Sequence, residues 1–200
     1  MAKNALTVRE QASDAILDLV LHVPSSKEQA LLQPAARAHA IGRNAARQAT
    51  LLASSLALPP GVLGWLTVLP ELIGVWRIQA QMVSDIAAVY GKQKSIKREE
   101  MLYCLFKHVS AQLFRDVAVR VGQRVVVREA STRVLQSIAQ ALGIKVTQKV
   151  LSKGAARFVP LLGAVGVGAY AYFDTLQVAK TANELFAQES TTKVPPAPAE

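Results

Sequence analysis

From Leu51 to Pro70, twenty consecutive residues carry no charge, which meets the length needed to cross a bilayer as a helix. Pro59-Pro60-Gly61 stands in the middle of that window. Two prolines remove two amide donors and the glycine leaves helical geometry readily, so the run reads as two short apolar arms joined by a turn. A second uncharged run, 158–173, carries Pro160 near its start and then Gly163, Gly166 and Gly168. Backbone groups freed by proline and glycine need neighbours in lipid as much as in a protein interior. Any fold of this chain must give both runs something to pack against. Two hundred residues, 51% of them hydrophobic, are ample for a single core.

The most legible element between those runs is a helix over 70–91. Pro70 suits a first helical turn, where its missing N–H would be unpaired anyway, and Gly91 can take the left-handed conformation that closes a helix. Leu72, Val75, Trp76, Met82, Val83, Ile86 and Tyr90 give it a broad apolar side. Arg77, Gln81 and Asp85 follow one another at four-residue steps on another side, with Glu71 at the start. Because the flanking chain is so apolar, these four are expected to form a buried polar cluster inside the fold.

The rest reads mainly as helix. Residues 5–22 are amphipathic; Ser25 or Ser26 can cap a short helical segment begun by Lys27, Glu28 and Gln29. Pro34 can open a long alanine-rich helix running towards Leu58. A charged connector, 92–100, leads to a helix holding Met101 through Phe114. Over 116–129 two patterns compete. Val117, Val119 and Val121, then Val125 and Val127, alternate about Gly122-Gln123 as in a hairpin, while Arg120, Arg124 and Arg128 fall at helical spacing. Helix is preferred, since both flanks read as helix. Gly143 is expected to divide two helices, 131–142 and 144–157, and the 158–173 run to continue as an amphipathic helix through Phe186. The tail, 191–200, holds three of the nine prolines and is expected to be disordered.

The net charge of +9 is unevenly spread. Residues 101–157 hold ten Lys and Arg against Asp116 and Glu129, which accounts for +8 of it. Within that stretch Lys145, Lys149, Lys153 and Arg157 stand at four-residue steps and end where the second uncharged run begins. A solvated helix face is one reading. The sharper one is a lipid headgroup-binding patch, shared with Arg120, Arg124 and Arg128, in which each cation near an anionic surface contributes on the order of 1 kcal/mol. Nucleic acid is the competing acidic partner and is disfavoured, because no reading module or aromatic stacking platform accompanies the charge.

No catalytic constellation is visible. His22, His39 and His108 are far apart without ligand-spaced companions, so no metal site and no cofactor is expected. The single cysteine, Cys104, lies in an apolar stretch and reads as a buried inert thiol; it also excludes an internal disulfide. Gly163, Gly166 and Gly168 lack the strand and lysine of a phosphate loop, and are better suited to close helix packing. The N-terminus lacks the apolar core of a signal peptide, so an intracellular protein is expected.

Leu58-Pro59-Pro60-Gly61, then Leu69-Pro70-Glu71 with Arg77, Gln81, Ile86, Ala87 and Tyr90-Gly91, and later Phe158-Val159-Pro160 with Gly163 and Gly166, resemble the EcsC protein family. The pattern is also similar to the C-terminal domain of unknown function of some bacterial GTPases. The likeness spans about residues 35–188, with Phe173-Asp174-Thr175 departing from the asparagine expected near an aromatic. It implies an α-helical, membrane-associated bacterial protein, peripheral at the inner face of the cytoplasmic membrane.

The expected architecture is an all-α, single-domain bundle with a central apolar helix and an apolar helical hairpin. A 1–34 helical segment, a 35–190 domain and the tail make up the chain. The expected function is non-enzymatic: peripheral or conditionally inserting membrane association through anionic lipid, with a protein partner. The alternative is a soluble helical interaction module.

Overall fold

The computed structural model describes residues 2–56, 63–92, 96–115, 117–121, 124–153 and 160–190. They form an all-α bundle: α1 (Ala2–Leu21), α2 (Pro34–Leu56), α3 (Leu63–Val89), α4 (Arg98–Phe106), α5 (Thr132–Lys153) and α6 (Pro160–Ser190). A 3-10 turn, Ala111–Phe114, and a two-stranded hairpin, β1 (Ala118–Val121) with β2 (Arg124–Val127), are inserted between α4 and α5. The tail residues 191–200 lie outside the described residues, as does the Pro59-Pro60-Gly61 break.

The central position of α3 follows from its composition. Val75, Trp76, Ala80, Met82, Val83, Ile86, Ala87 and Val89 are all buried, so apolar side chains occupy most of its circumference and it must be enclosed. α1, α2, α4 and α6 pack around it. One contiguous core joins Ile16, Leu19 and Val20 of α1 to Ile86, Met101, Leu105, Phe106, Leu135, Leu142, Leu185 and Phe186, so the N-terminal segment shares the core of the rest. Trp76 meets Phe106 edge to face, ring centroids 5.3 Å apart.

α3 ends as expected. Gly91 has φ of 79°, its N–H donates to the Ala88 carbonyl at 2.9 Å, and the Lys92 N–H reaches back to the Ala87 carbonyl at 2.8 Å. This is the paired closure that a left-handed residue makes possible. Its start differs from the expectation: Pro70 lies inside the helix, which begins at Leu63. The ring imposes a helical φ and removes one internal hydrogen bond, so a helix with packed neighbours can run through it at a cost of about 3 kcal/mol.

The segment after α1 has no regular secondary structure, where a short helix was expected. Ser26 Oγ accepts from the Glu28 N–H at 3.0 Å and donates to Asp85 Oδ1 at 2.6 Å, while the Leu31 N–H donates to the Val89 carbonyl. Serine here bonds the chain to α3 instead of capping a local turn. Glu28 and Arg37 pair on two nitrogens, which holds the Glu28 carboxyl below its ordinary range.

Residues 118–127 correct the helical reading of 116–129. Ala118 pairs with Val127 and Val121 with Arg124 in an antiparallel register. The alternating valines prevailed because Val117 and Val127 are buried in the main core, and β-branched residues fit a half-buried pleated surface better than a helix. α4 also stops earlier than expected, at Phe106. Its N-terminus is fixed by two buried carboxylates. Glu100 Oε2 accepts the Lys97 N–H at 3.0 Å, and Glu99 Oε1 accepts the Ala130 N–H at 2.9 Å, tying the exit of the hairpin to α4. Lys92 lies between Glu100, at 3.5 Å, and Glu189 of α6.

Gly143 does not divide α5. An added Cβ there would meet Ser13 Oγ and would stand 3.0 Å from the Arg9 carbonyl oxygen, so the glycine lets α5 lie against α1. Cys104 is fully buried, and burial pushes its thiol far up. Native protein at pH 8 is therefore expected to react with a soluble disulfide reagent only as fast as it unfolds; immediate labelling would contradict the packing of α4.

Candidate functional site

The two uncharged runs meet at one end of the bundle. α2 and α6 pack along each other, and α3 joins them. Ala49, Ala53, Val75 and Ala171 form a small apolar cluster separate from the main core, with Leu52 and Val167 packed on it. Small side chains bring the helices close together. A Cβ on Gly168 would meet Ser54 Oγ and lie 3.2 Å from Thr50 Cγ2, and one on Gly74 would lie 2.7 Å from Leu52 Cδ2. Gly168 thus has the packing role expected of it. For Gly166, a Cβ would meet nothing within 4 Å among the described residues, and the surroundings of Gly163 lie outside what is described. Trp76 is buried in the core; the side chain of Trp65 lies outside the described residues.

Three large apolar side chains around this end face solvent: Leu51 of α2 at 72% exposure, and Tyr170 and Phe173 of α6 at 40% and 63%. Directly behind the aromatics is a polar layer assembled from three elements. Asp174 Oδ1 is 2.8 Å from His108 Nε2, and its Oδ2 accepts from Gln79 Nε2 at 2.9 Å. Gln79 Nε2 is also 3.1 Å from Thr175 Oγ1. Tyr170 donates to Asp174 one helical turn away; burial of the hydroxyl, then the adjacent carboxylate, push its phenol far up. His108 and Asp174 are each only 13% exposed. His108 Nδ1 and Gln79 Oε1 have no protein partner among the described residues, and no group of three His, Cys, Asp or Glu among them could hold a metal.

This layer was not anticipated, because His108 and Asp174 are separated by 66 residues. One signal was available: Asp174 is the only charged residue between Arg157 and Lys180, and a lone carboxylate in an apolar helix must find donors.

The expected polar cluster on α3 is not one buried group. Glu71 is buried, Gln81 and Asp85 are half-buried, and Arg77 is exposed. Asp85 Oδ1 takes its hydrogen bonds from Gln81 Nε2, at 2.9 Å, and from Ser26. The irregular 23–33 segment thus supplies a partner for Asp85 from outside α3. Arg77→Met is accordingly expected to change stability by less than about 0.5 kcal/mol in urea melts; a loss of several kcal/mol would require a buried pair.

Of the expected headgroup ligands, Lys145, Lys149 and Lys153 belong to one continuous helix, α5, where their four-residue steps place them along one side. Lys145 is exposed, with Nζ donating to Ser110 Oγ at 3.0 Å, two residues beyond His108. The side chains of Lys149 and Lys153 lie outside what is described, as does Arg157 altogether. Arg120, Arg124 and Arg128 do not form a helical line, because the first two are on paired strands of the hairpin and the third follows it. Arg128 is exposed.

Among the described residues no helix is long and apolar enough to cross a membrane. Scans against protein-family models, curated proteins and solved structures return no match.

Proposed function

We propose that this chain is a non-enzymatic helical protein that associates with anionic membrane surfaces, peripherally or by conditional insertion. The observation that carries this reading is the end of the bundle where the two uncharged runs meet. Leu52 and Ala53 of the first run and Val167 and Ala171 of the second pack there with Ala49 and Val75 as a small cluster apart from the main core, with Leu51, Tyr170 and Phe173 open to solvent around it. Lysines at four-residue steps along α5 supply the attraction to lipid phosphate. The resemblance to the EcsC family points the same way.

The full chain is expected to float with vesicles of phosphatidylglycerol and phosphatidylcholine and to be released as salt rises, since screening shortens the reach of exposed charge. Replacing Lys145, Lys149 and Lys153 together by Glu should weaken partitioning by about two orders of magnitude or more, at about 1 kcal/mol for each cation lost. Equal flotation on pure phosphatidylcholine, before and after the change, would overturn the reading and favour a soluble interaction module.

A further inference from the structure

The outer surface of α6 changes character along its length. Gly166, Ala169, Tyr170 and Phe173 are exposed and apolar; beyond them the exposed positions are Gln177, Lys180 and Glu184. α2, packed against it, shows the same gradient. Arg43 and Arg47 are exposed at a four-residue step, and the next step along that line is the exposed Leu51. Within α2 there is no carboxylate to neutralise those arginines. Thr50 and Ser54 lie against Gly168 and Gly42 lies against Ala179, so α2 and α6 run antiparallel, with Leu51 about level with Tyr170 and Arg47 about level with Phe173. The pair thus places Leu51 and Tyr170 nearest one end, with Arg47 and Arg43 one and two turns back from Leu51 and Phe173 beside Arg47.

Resting on the membrane reading above, we infer that Tyr170 and Phe173 of α6, with Leu51 of α2, form the surface that enters the boundary between lipid headgroups and acyl chains, while Arg43 and Arg47 engage the phosphates above them. Three observations carry this. First, large apolar side chains are left in water where a soluble bundle would gain by covering them. Second, the arginines stand where long cationic side chains can reach phosphate while their stems lie along apolar surface. Third, Asp174 follows Phe173 directly but turns inward to His108 and Gln79, so sinking the aromatics does not carry a bare carboxylate into lipid. From Gly166 to Phe173 the helix rises about 10 Å, which matches the shallow depth of an interfacial contact and falls far short of a span. The phosphate sites on α2 are separate from the lysine line of α5.

The test uses full-length protein carrying Cys104→Ala and one introduced cysteine, at Phe173, Leu51 or Lys180, labelled with an environment-sensitive dye. Vesicles of phosphatidylglycerol and phosphatidylcholine are prepared with and without bromine on the upper acyl carbons. The dye at positions 173 and 51 should shift to the blue and be quenched by the brominated lipid, while that at 180 should remain aqueous. Phe173→Ser should reduce vesicle partitioning about tenfold without altering the urea midpoint, and Arg43→Gln with Arg47→Gln should reduce it on anionic vesicles only. If the protein is vesicle-bound but positions 173 and 51 stay aqueous, the inference fails while the lysine-mediated reading stands. If the protein binds no vesicle, both fail. A blue shift at 173 that grows with protein concentration in the absence of lipid would assign the surface to a second copy and overturn the inference.

Discussion

Asp174→Ala is expected to destabilise the protein by about 2–6 kcal/mol, because two buried donors lose the carboxylate they share. The carboxylate accepts from His108 and Gln79 and from Tyr170, and alanine leaves the first two donors facing a nearly closed interior. Each buried group left unpaired costs about 1–3 kcal/mol. Asp174→Asn keeps the shape and one acceptor oxygen, so its loss should be smaller, about 1–2 kcal/mol on the same scale. Urea melts followed by far-ultraviolet circular dichroism compare the three proteins directly. A change below about 1 kcal/mol for the alanine variant would mean that the polar layer does not hold α3, α6 and the end of α4 together.

The second large effect is expected at Gly143. Valine there must displace Ser13 Oγ and also the Arg9 backbone carbonyl, which a Cβ would approach to 3.0 Å. The Ser13 hydroxyl itself donates to that carbonyl at 2.8 Å, so moving the serine breaks a local bond and moving the backbone shifts α1. Overpacking of this kind costs about 1–3 kcal/mol, and here the upper end applies because the obstruction includes main chain. Alanine is a weaker test, since its higher helix propensity returns about 1 kcal/mol against glycine. Urea melts measure the loss, and limited proteolysis should cut α1 of Gly143→Val well before the remaining helices. Unchanged stability of the valine variant would show that α1 and α5 are not in close contact.

The features readable from sequence were those set by local chemistry. Pro34 and Pro160 open α2 and α6, Gly91 closes α3, and the apolar breadth around Trp76 and Ile86 signals an enclosed helix. The misread features were decided by partners distant in sequence. Valine alternation over 117–127 was weighed against arginine spacing, and the burial of Val117 and Val127 that settles it depends on the rest of the core. Ser25 or Ser26 suits a helix cap by local pattern, and the bond of Ser26 to Asp85, 59 residues away, leaves no local trace. Gly143 was read as a break because α1, which lies against it, is more than a hundred residues earlier. At the candidate site, the lysine spacing on α5 was visible. The exposure of Leu51, Tyr170 and Phe173 was not, since an apolar residue in an apolar run reads as core until its neighbours are placed.

The separation of the alanine-rich cluster from the main core also has a kinetic consequence. Ala49, Ala53, Val75 and Ala171 bury far less apolar area than Phe106, Leu105 and Ile86 do, so the two regions resist opening to different degrees. Amide hydrogens in the last two turns of α2 should therefore exchange with solvent through a partial opening. Those around Ile86 should wait for global unfolding. One chain would then have two protection classes, with the boundary between them at the hydrogen bonds of Gln79 and Asp174.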